Sequence, residues 1–469
     1  MFQKQAMGTG GCSSGAPIMF LKMHRKSRQF LGSLVSVTGL LALAVPGNAL
    51  SSGLGAGSDT VRVKISEPPP TGKVILGLED VLHLTLTNNP RIGSADSAVR
   101  AQQGRMLQAG LLPNPSLSLD LENIGISGAD FADEDLQASF LIGQRIELGG
   151  QRGLRKQVEH HQTRLARSDY EKVRLTIITE TTIAFAEALA QQILLQLAQE
   201  QTRIAQELLK AVQLQVFNGA VSSAEVPRAE VEVSLQQIET VSRSRSLRAA
   251  FRRLASMWGE NSFTYSRLRG TFNSSQPLAS LETFIGLLGT SFKEERLKIE
   301  IDRAQSVIAL EDSRRIPDIE LGMGPKYFTG SDIWGLQMGV EFSLPIFDRN
   351  QGRRLEARAE FDTIRDAGRD ERMRAYRDLI RSYENMSIAH HEAETLSDIV
   401  IPQARKAYMA MRRAHREGAI ELTSVLDAQR SLFLLESRLV EAKKAYQISL
   451  ARTNLVVGGP ATRDLKEEK

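Results

Sequence analysis

Among its 469 residues the chain has a single cysteine, Cys12. It stands ahead of an apolar run, Phe30 to Val45, that has the marks of a removable leader, so the mature chain has no thiol and cannot rely on disulfides. Linkers rich in proline or glycine are missing from the middle of the chain. A length that would suit about three ordinary domains therefore reads as one elongated unit. There is no phosphate loop, nucleophile elbow or HExxH helix, and Gly149-Gly150 and Gly458-Gly459 lie in no strand-turn-helix nucleotide unit. Nothing here marks an enzyme.

Residues 1–49 read as a signal peptide: His24, Arg25, Lys26 and Arg28 precede the apolar run, which closes on Gly47-Asn48-Ala49. Its 16 residues are too few to span a bilayer comfortably. Met1, Met19 and Met23 all remain open as the translation start. The leader carries Lys4, Lys22, Arg25, Lys26 and Arg28 and no acid, so losing those five charges takes the net charge from +4 to about −1. The whole-chain pI of about 9.1 belongs to the discarded segment, and nucleic-acid binding loses its electrostatic support.

What the chain has is a duplication. Pro115-Ser116-Leu117-Ser118-Leu119 answers Pro317-Asp318-Ile319-Glu320-Leu321 at an offset of 202; IELGGQRG from Ile146 answers IFDRNQG from Ile346, with Gln151 over Gln351. Phe217-Asn218-Gly219-Ala220-Val221 answers Arg416-Glu417-Gly418-Ala419-Ile420 at 199. Three anchors whose offset drifts by only three residues define two structural repeats, 76–270 and 280–460, after an arm at 50–75 that is rich in Ser, Gly and Pro and before a tail at 461–469.

Each repeat has the same plan. Helices at its start (Leu76 to Asn88 and about Arg91 to Leu111 in the first) lead to a β-hairpin, at about 115–147 and 317–345. In the first, Leu117, Leu119 and Leu121 alternate with Ser118, Asp120 and Glu122; in its partner Leu136, Ala138, Phe140 and Ile142 oppose Gln137, Ser139 and Gln144. The alternation is cleanest from Trp334 to Leu344, and a period of two makes one wet and one apolar face. A soluble sheet covered by helices gives this pattern, and so do membrane-spanning strands, for which a length of about 10 residues is right. Phe131, Tyr327, Phe328 and Trp334 would then suit an interfacial girdle.

After each hairpin comes a rod. No proline interrupts Gln151 to Val216, and only Pro402 interrupts Gln351 to Arg416. At 1.5 Å per residue such a helix spans roughly 100 Å and must pack against similar rods. Glycine turns at about 217–222 and 416–421 close the rods, and helices of 223–257 and 422–457 return, with apolar residues at coiled-coil-like spacings, among them Val425, Leu426, Leu432, Leu435 and Leu439.

Four strands cannot close a barrel with a lumen, yet in lipid every strand edge must be paired. Two chains give 8 strands and a filled interior; three give 12 and a pore. A trimer is the smallest useful solution, and the rods would continue its pore as a tunnel.

With Gly418-Ala419-Ile420-Glu421-Leu422-Thr423-Ser424-Val425-Leu426-Asp427-Ala428, the paired hairpins and the long rods, the mature chain resembles the TolC-like outer-membrane efflux proteins. Leu112-Pro113-Asn114-Pro115, Glu122-Asn123 and Gln144 to Arg152 are similar to the branch that serves cobalt, zinc and cadmium efflux. The resemblance implies a mainly α fold with a small transmembrane β part. Three copies would make a 12-strand β-barrel continued by an α-helical barrel, in the outer membrane with a periplasmic extension. It also implies a tripartite RND-type system in which a periplasmic adaptor and a proton-driven inner-membrane pump are the partners and no cofactor is held. Gly219, Ala220, Val221, Gly418, Ala419 and Ile420 would form the adaptor-docking tips, and Glu225 and Asp427 a periplasmic gate. Ser424 departs from the pattern, standing where many relatives have a second acid. Solvated helix-face acids would look the same.

Metal-ligand spacing is absent. His160-His161 and His390-His391 are adjacent and point about 100° apart on a helix, and Met409, Met411 and His415 form a loose stripe. Two other functions stay open: a periplasmic scaffold or adhesin with a soluble sheet, and the same duct carrying drugs or proteins.

Overall fold

Two long helical rods of near-equal length, the second interrupted by a π turn, dominate the computed structural model of the protein, which describes residues 75–124, 136–272 and 278–459. The signal peptide at 1–49, all but Ile75 of the arm, Phe131 and the tail at 461–469 lie outside the described residues. A first series comprises strand β1 (Ile75–Leu76), helices α1 (Leu78–Asn88) and α2 (Pro90–Ala109), strands β2 (Ser116–Glu122) and β3 (Gln137–Ile146), helices α3 (Gln151–Phe217) and α4 (Glu225–Ser256), and strand β4 (Arg267–Leu268). A second comprises α5 (Leu281–Leu288), α6 (Phe292–Ser313), β5 (Ile319–Phe328), β6 (Ile333–Phe342), α7 (Gln351–Thr395), a wide π turn (Leu396–Val400), α8 (Ile401–Arg416) and α9 (Leu422–Val457).

Helix α3 is 67 residues long, roughly 100 Å. Ile177, Ala184, Ala198, Ala205 and Val212 recur at multiples of seven and are all buried, the seam of a left-handed coiled coil. Alanine at three of these five buried seam positions lets a neighbouring backbone come close. The second rod reaches the same length by a different route. Pro402 has no N–H to give and crowds the carbonyl of Asp398, and the π turn at Leu396–Val400 is where the ladder widens to accommodate it.

The four longer strands form one antiparallel sheet in the order β2-β3-β5-β6. Its register gives rows that run straight across: Leu117–Ile142–Met323–Met338, then Leu121–Ala138–Tyr327–Trp334 four residues on. This face is greasy and open, with Leu117, Ile142, Met323, Leu336, Met338 and Val340 all exposed. The other face carries Ser116, Asp120, Glu122, Arg145, Glu320, Lys326 and Glu341, and Lys326 Nζ meets Glu122 Oε2 at 2.8 Å. Two positions differ from the sequence expectation. Gln144 shares the face of Ile142, because both have the same parity, and its Nε2 donates to the Pro113 carbonyl at 3.1 Å. Phe328 lies on the polar face, under Lys326 (5.7 Å to the ring centre), which leaves Tyr327 and Trp334, rings 5.0 Å apart, as the aromatic pair on the apolar face. Strand β2 has 7 residues, not ten.

Helices follow the sheet in the same order. α2 packs on α3, α3 on α6 and α6 on α7; farther along, α4 packs on α3, α3 on α9 and α9 on α8. Short elements that the sequence pattern did not resolve pack around the rods. β1 pairs in parallel with β4 over a core of Leu76, Val81, Phe185, Leu189, Leu254 and Trp258, and α5 inserts Phe284 beside Leu379, Met386 and Tyr446.

One close approach in the sheet is testable. A Cβ at Gly324 would lie 1.7 Å from the Phe140 carbonyl oxygen, whereas one at Gly322 meets only a Leu141 methyl at 3.6 Å. Gly324→Ala should therefore cost on the order of 3 kcal/mol and lower the thermal midpoint of sheet unfolding in detergent, with Gly322→Ala close to wild type; equal midpoints would refute this register.

Candidate functional site: the two helical tips

Both rods end in the same hydrogen-bonded turn. At the first, Gly219 N–H donates to Val216 O (3.0 Å) and Ala220 N–H to Gln215 O (2.8 Å); at the second, Gly418 N–H donates to His415 O (3.0 Å) and Ala419 N–H to Ala414 O (2.9 Å). This pair of bonds is a Schellman closure, which needs a left-handed residue at the glycine, and Gly219 and Gly418 have φ of 71° and 73°. The structure thus reproduces the third sequence anchor bond for bond.

The tips differ in what they present. Phe217 is 87% exposed at the first, beside the exposed Gly219 and Ala220. At the second, Gly418 and Ala419 are open, Ile420 packs into the hairpin core with Val425 and Tyr408, and His415 Nδ1 bonds the Ile420 carbonyl across the turn at 3.0 Å. The two tips are tied together by Leu422 and Leu426 of α9, which bury against Val212 and Ala229 of the first hairpin.

The two acids singled out in the sequence have separate partners. Glu225 opens α4, where a carboxylate favours the helix N-terminus; Oε1 accepts from Arg228 Nη1 (3.2 Å) and Oε2 is buried without a partner. Asp427 is 75% exposed on α9 and lies 3.9 Å from Arg430 Nη1. Ser424, one helical turn before it, is half-buried.

Residues that pattern reading passed over make the strongest contact here. Glu232 of α4 is 2% exposed, and its Oε2 accepts from Nη2 (2.5 Å) and Nε (3.2 Å) of Arg430 on α9, while Gln236 Nε2 donates to Oε1 at 2.9 Å. Next to it, Gln429 Nε2 donates to Gln201 Oε1 at 3.2 Å in a buried position. The ion pair holds the Arg430 guanidinium well inside its charged form. In sequence, one acid and one arginine 198 residues apart on amphipathic helices look like surface charges. Only the packing of α4 and α9 around α3 brings them together.

Among the described residues there is no group of three or more His, Cys, Asp or Glu side chains that could hold a metal ion. No described helix is long and apolar enough to cross a membrane.

The arrangement defines a class: a long helical hairpin protein, duplicated, with a small open sheet at one end and paired turns on its rods. The family model of the outer membrane efflux proteins matches residues 81–260 and 295–459, well over half of the chain, and the chain belongs to that family. It is 28% identical to the cobalt-zinc-cadmium resistance protein CzcC of Cupriavidus metallidurans over 81% of this chain and 89% of that protein. It is 24% identical to the nickel-cobalt-cadmium resistance protein NccC of Alcaligenes xylosoxydans xylosoxydans, over 65% and 69%. The crystal structure of CusC matches with a TM-score of 0.68 over 81% of this chain and 92% of that one, at 16% identity, a likeness of fold.

The tip glycines give a clean prediction, since a Cβ at Gly219 or Gly418 would meet nothing and only the backbone conformation resists it. Gly418→Ala should cost about 1 kcal/mol, whereas Gly286→Ala, in the middle of α5 with equal space, should be neutral or stabilising. Chemical denaturation of the two variants measures the contrast.

Proposed function

We propose that three copies of the mature chain form a passive duct through the outer membrane and across the periplasm, exporting heavy-metal cations as the outer component of a tripartite RND-type efflux system. One observation carries the reading: the sheet has an apolar face open to its surroundings, a polar face opposite, and two unpaired edges, β2 and β6. Strands β3, β5 and β6, ten residues each, rise roughly 25 Å when tilted as in barrels, the height of a lipid-facing band. The edge of β2 then continues on β6 of the next copy, and three such contacts close a 12-strand barrel wide enough for a lumen.

The helices support the same closure. Their order repeats that of the strands, so α2 and α7 are left at the edges beside β2 and β6, and α4 and α8 at the edges farther down. On α4 the exposed residues Val231, Leu235, Ile238 and Val241 form a stripe at helical spacing, an apolar seam with nothing against it in a single copy. A head-to-tail ring covers every such edge.

In this reading the Schellman turns at Gly219, Ala220, Val221 and at Gly418, Ala419, Ile420 are the far end of the tube and dock the adaptor, with an RND pump beyond it. Glu225 and Asp427 narrow the mouth: a three-fold ring of carboxylates attracts cations and repels anions. Metal cargo is inferred from the resistance named for CzcC and NccC; metal selection is left to the pump, in keeping with a wall that needs no tight binding site.

Deleting the gene should sensitise cells to zinc, cobalt and cadmium and leave survival on common drugs unchanged; the reverse pattern would assign the duct another cargo. For the mouth, Asp427→Ala with Glu225→Ala should raise single-channel conductance of the purified protein in planar bilayers, and unchanged conductance would remove both acids from the constriction.

A further inference from the structure

The guanidinium of Arg430 stands between two acids and is shared unequally. Glu232 takes two of its three nitrogens, Nη2 at 2.5 Å and Nε at 3.2 Å, on one buried oxygen, while Asp427 has only the third, at 3.9 Å, beyond hydrogen-bond distance. The two acids also differ in surroundings. Glu232 is 2% exposed and receives a further bond from Gln236; Asp427 is 75% exposed and on the same helix as Arg430, one turn away, a spacing at which acid and base reach each other readily.

We propose that Glu232 is a positioning residue for cation preference at the tube's mouth: by holding Arg430 through two hydrogen bonds it keeps the Asp427 carboxylate only weakly paired, with no direct hydrogen bond to the guanidinium, and available to passing cations. The inference rests on the placement of Asp427 at the constriction proposed above. The chemistry is electrostatic. A carboxylate whose charge is not neutralised by a close guanidinium attracts a cation in the path, and one that is neutralised does not. Arg430 is half-exposed, so once released from Glu232 it is free to swing along α9 onto Asp427. Three copies of that swing would replace a ring of carboxylates by a ring of ion pairs. A different role for the Glu232–Arg430 pair, a clasp that holds the two hairpins together, predicts another result: a looser mouth and larger conductance with the ion preference kept.

The test is the reversal potential of the purified oligomer in planar bilayers across a KCl gradient, which reads only channels that have folded and inserted. Glu232→Gln should lower the K⁺ over Cl⁻ permeability ratio roughly threefold, as expected for a screened unit charge lost near the path, and Glu232→Asp should restore most of it. The double variant Glu232→Gln with Arg430→Gln removes the buried pair as a neutral unit, a change that folded proteins tolerate. It should return the ratio to wild type or above, because no guanidinium is left to reach Asp427. A ratio unchanged in Glu232→Gln, with or without a rise in conductance, would overturn the proposal, and so would a double variant as poorly selective as the single one. Asp427→Asn separates the two levels. If it lowers the ratio while Glu232→Gln does not, the positioning role alone falls; if it has no effect, Asp427 is away from the constriction and both readings fall.

Discussion

Backbone N–H and C=O groups along an unpaired strand edge must find water or another strand, and the sheet here leaves two edges, β2 and β6, at its sides. Around this constraint the rest of the structure falls into place. The face that would touch lipid is already made, in straight rows from Leu117 to Met338 and from Leu121 to Trp334. The helices leave their own unpaired flanks on the same two sides. Pairing between copies that satisfied the strand edges would also cover the apolar stripe of α4.

The rods serve length and stiffness with little sequence. A seam of alanines at multiples of seven along α3 brings helices close and asks for no large core, so 67 residues stay ordered as one helix. At the far end each rod is finished by the same glycine closure, and the second hairpin's α9 packs Leu422 and Leu426 onto the first. The two tips are thus packed together, and the buried pair Glu232–Arg430 joins the same two helices, α4 and α9. Apolar contact runs along the shaft, and ion pairs such as Arg296–Asp169 and Arg372–Glu294 stud its outside.

Much of this was legible in the sequence because it repeats and because its periods are pure. Period two in Trp334 to Phe342, freedom from proline in Gln151 to Val216, and glycine at 219 and 418 each have a single physical cause and a single structural outcome. The reading went astray where several causes compete. Gln144 was set on the wet face by its polarity, though parity puts it with Ile142, where the Pro113 carbonyl takes up its amide. Phe328 looked like a girdle residue by its type, yet the register turns it under Lys326. Pro402 promised an interruption and produced a π turn instead, with helix continuing on both sides of it. Of the candidate site, the turns were visible and the Glu232–Arg430 contact was not: helical periodicity says which face a charge occupies, never which charge it meets 198 residues away.

Membership in the outer membrane efflux family fits this combination of a greasy sheet, long rods and glycine-closed tips. The central claim is that the open edges are closed by other copies of the same chain, and the most direct measurement is the subunit count of the mature protein extracted from membranes in detergent, by native mass spectrometry. Three chains per particle, with extraction requiring detergent, is the predicted result. A single chain that stays monomeric and soluble in plain buffer would contradict it.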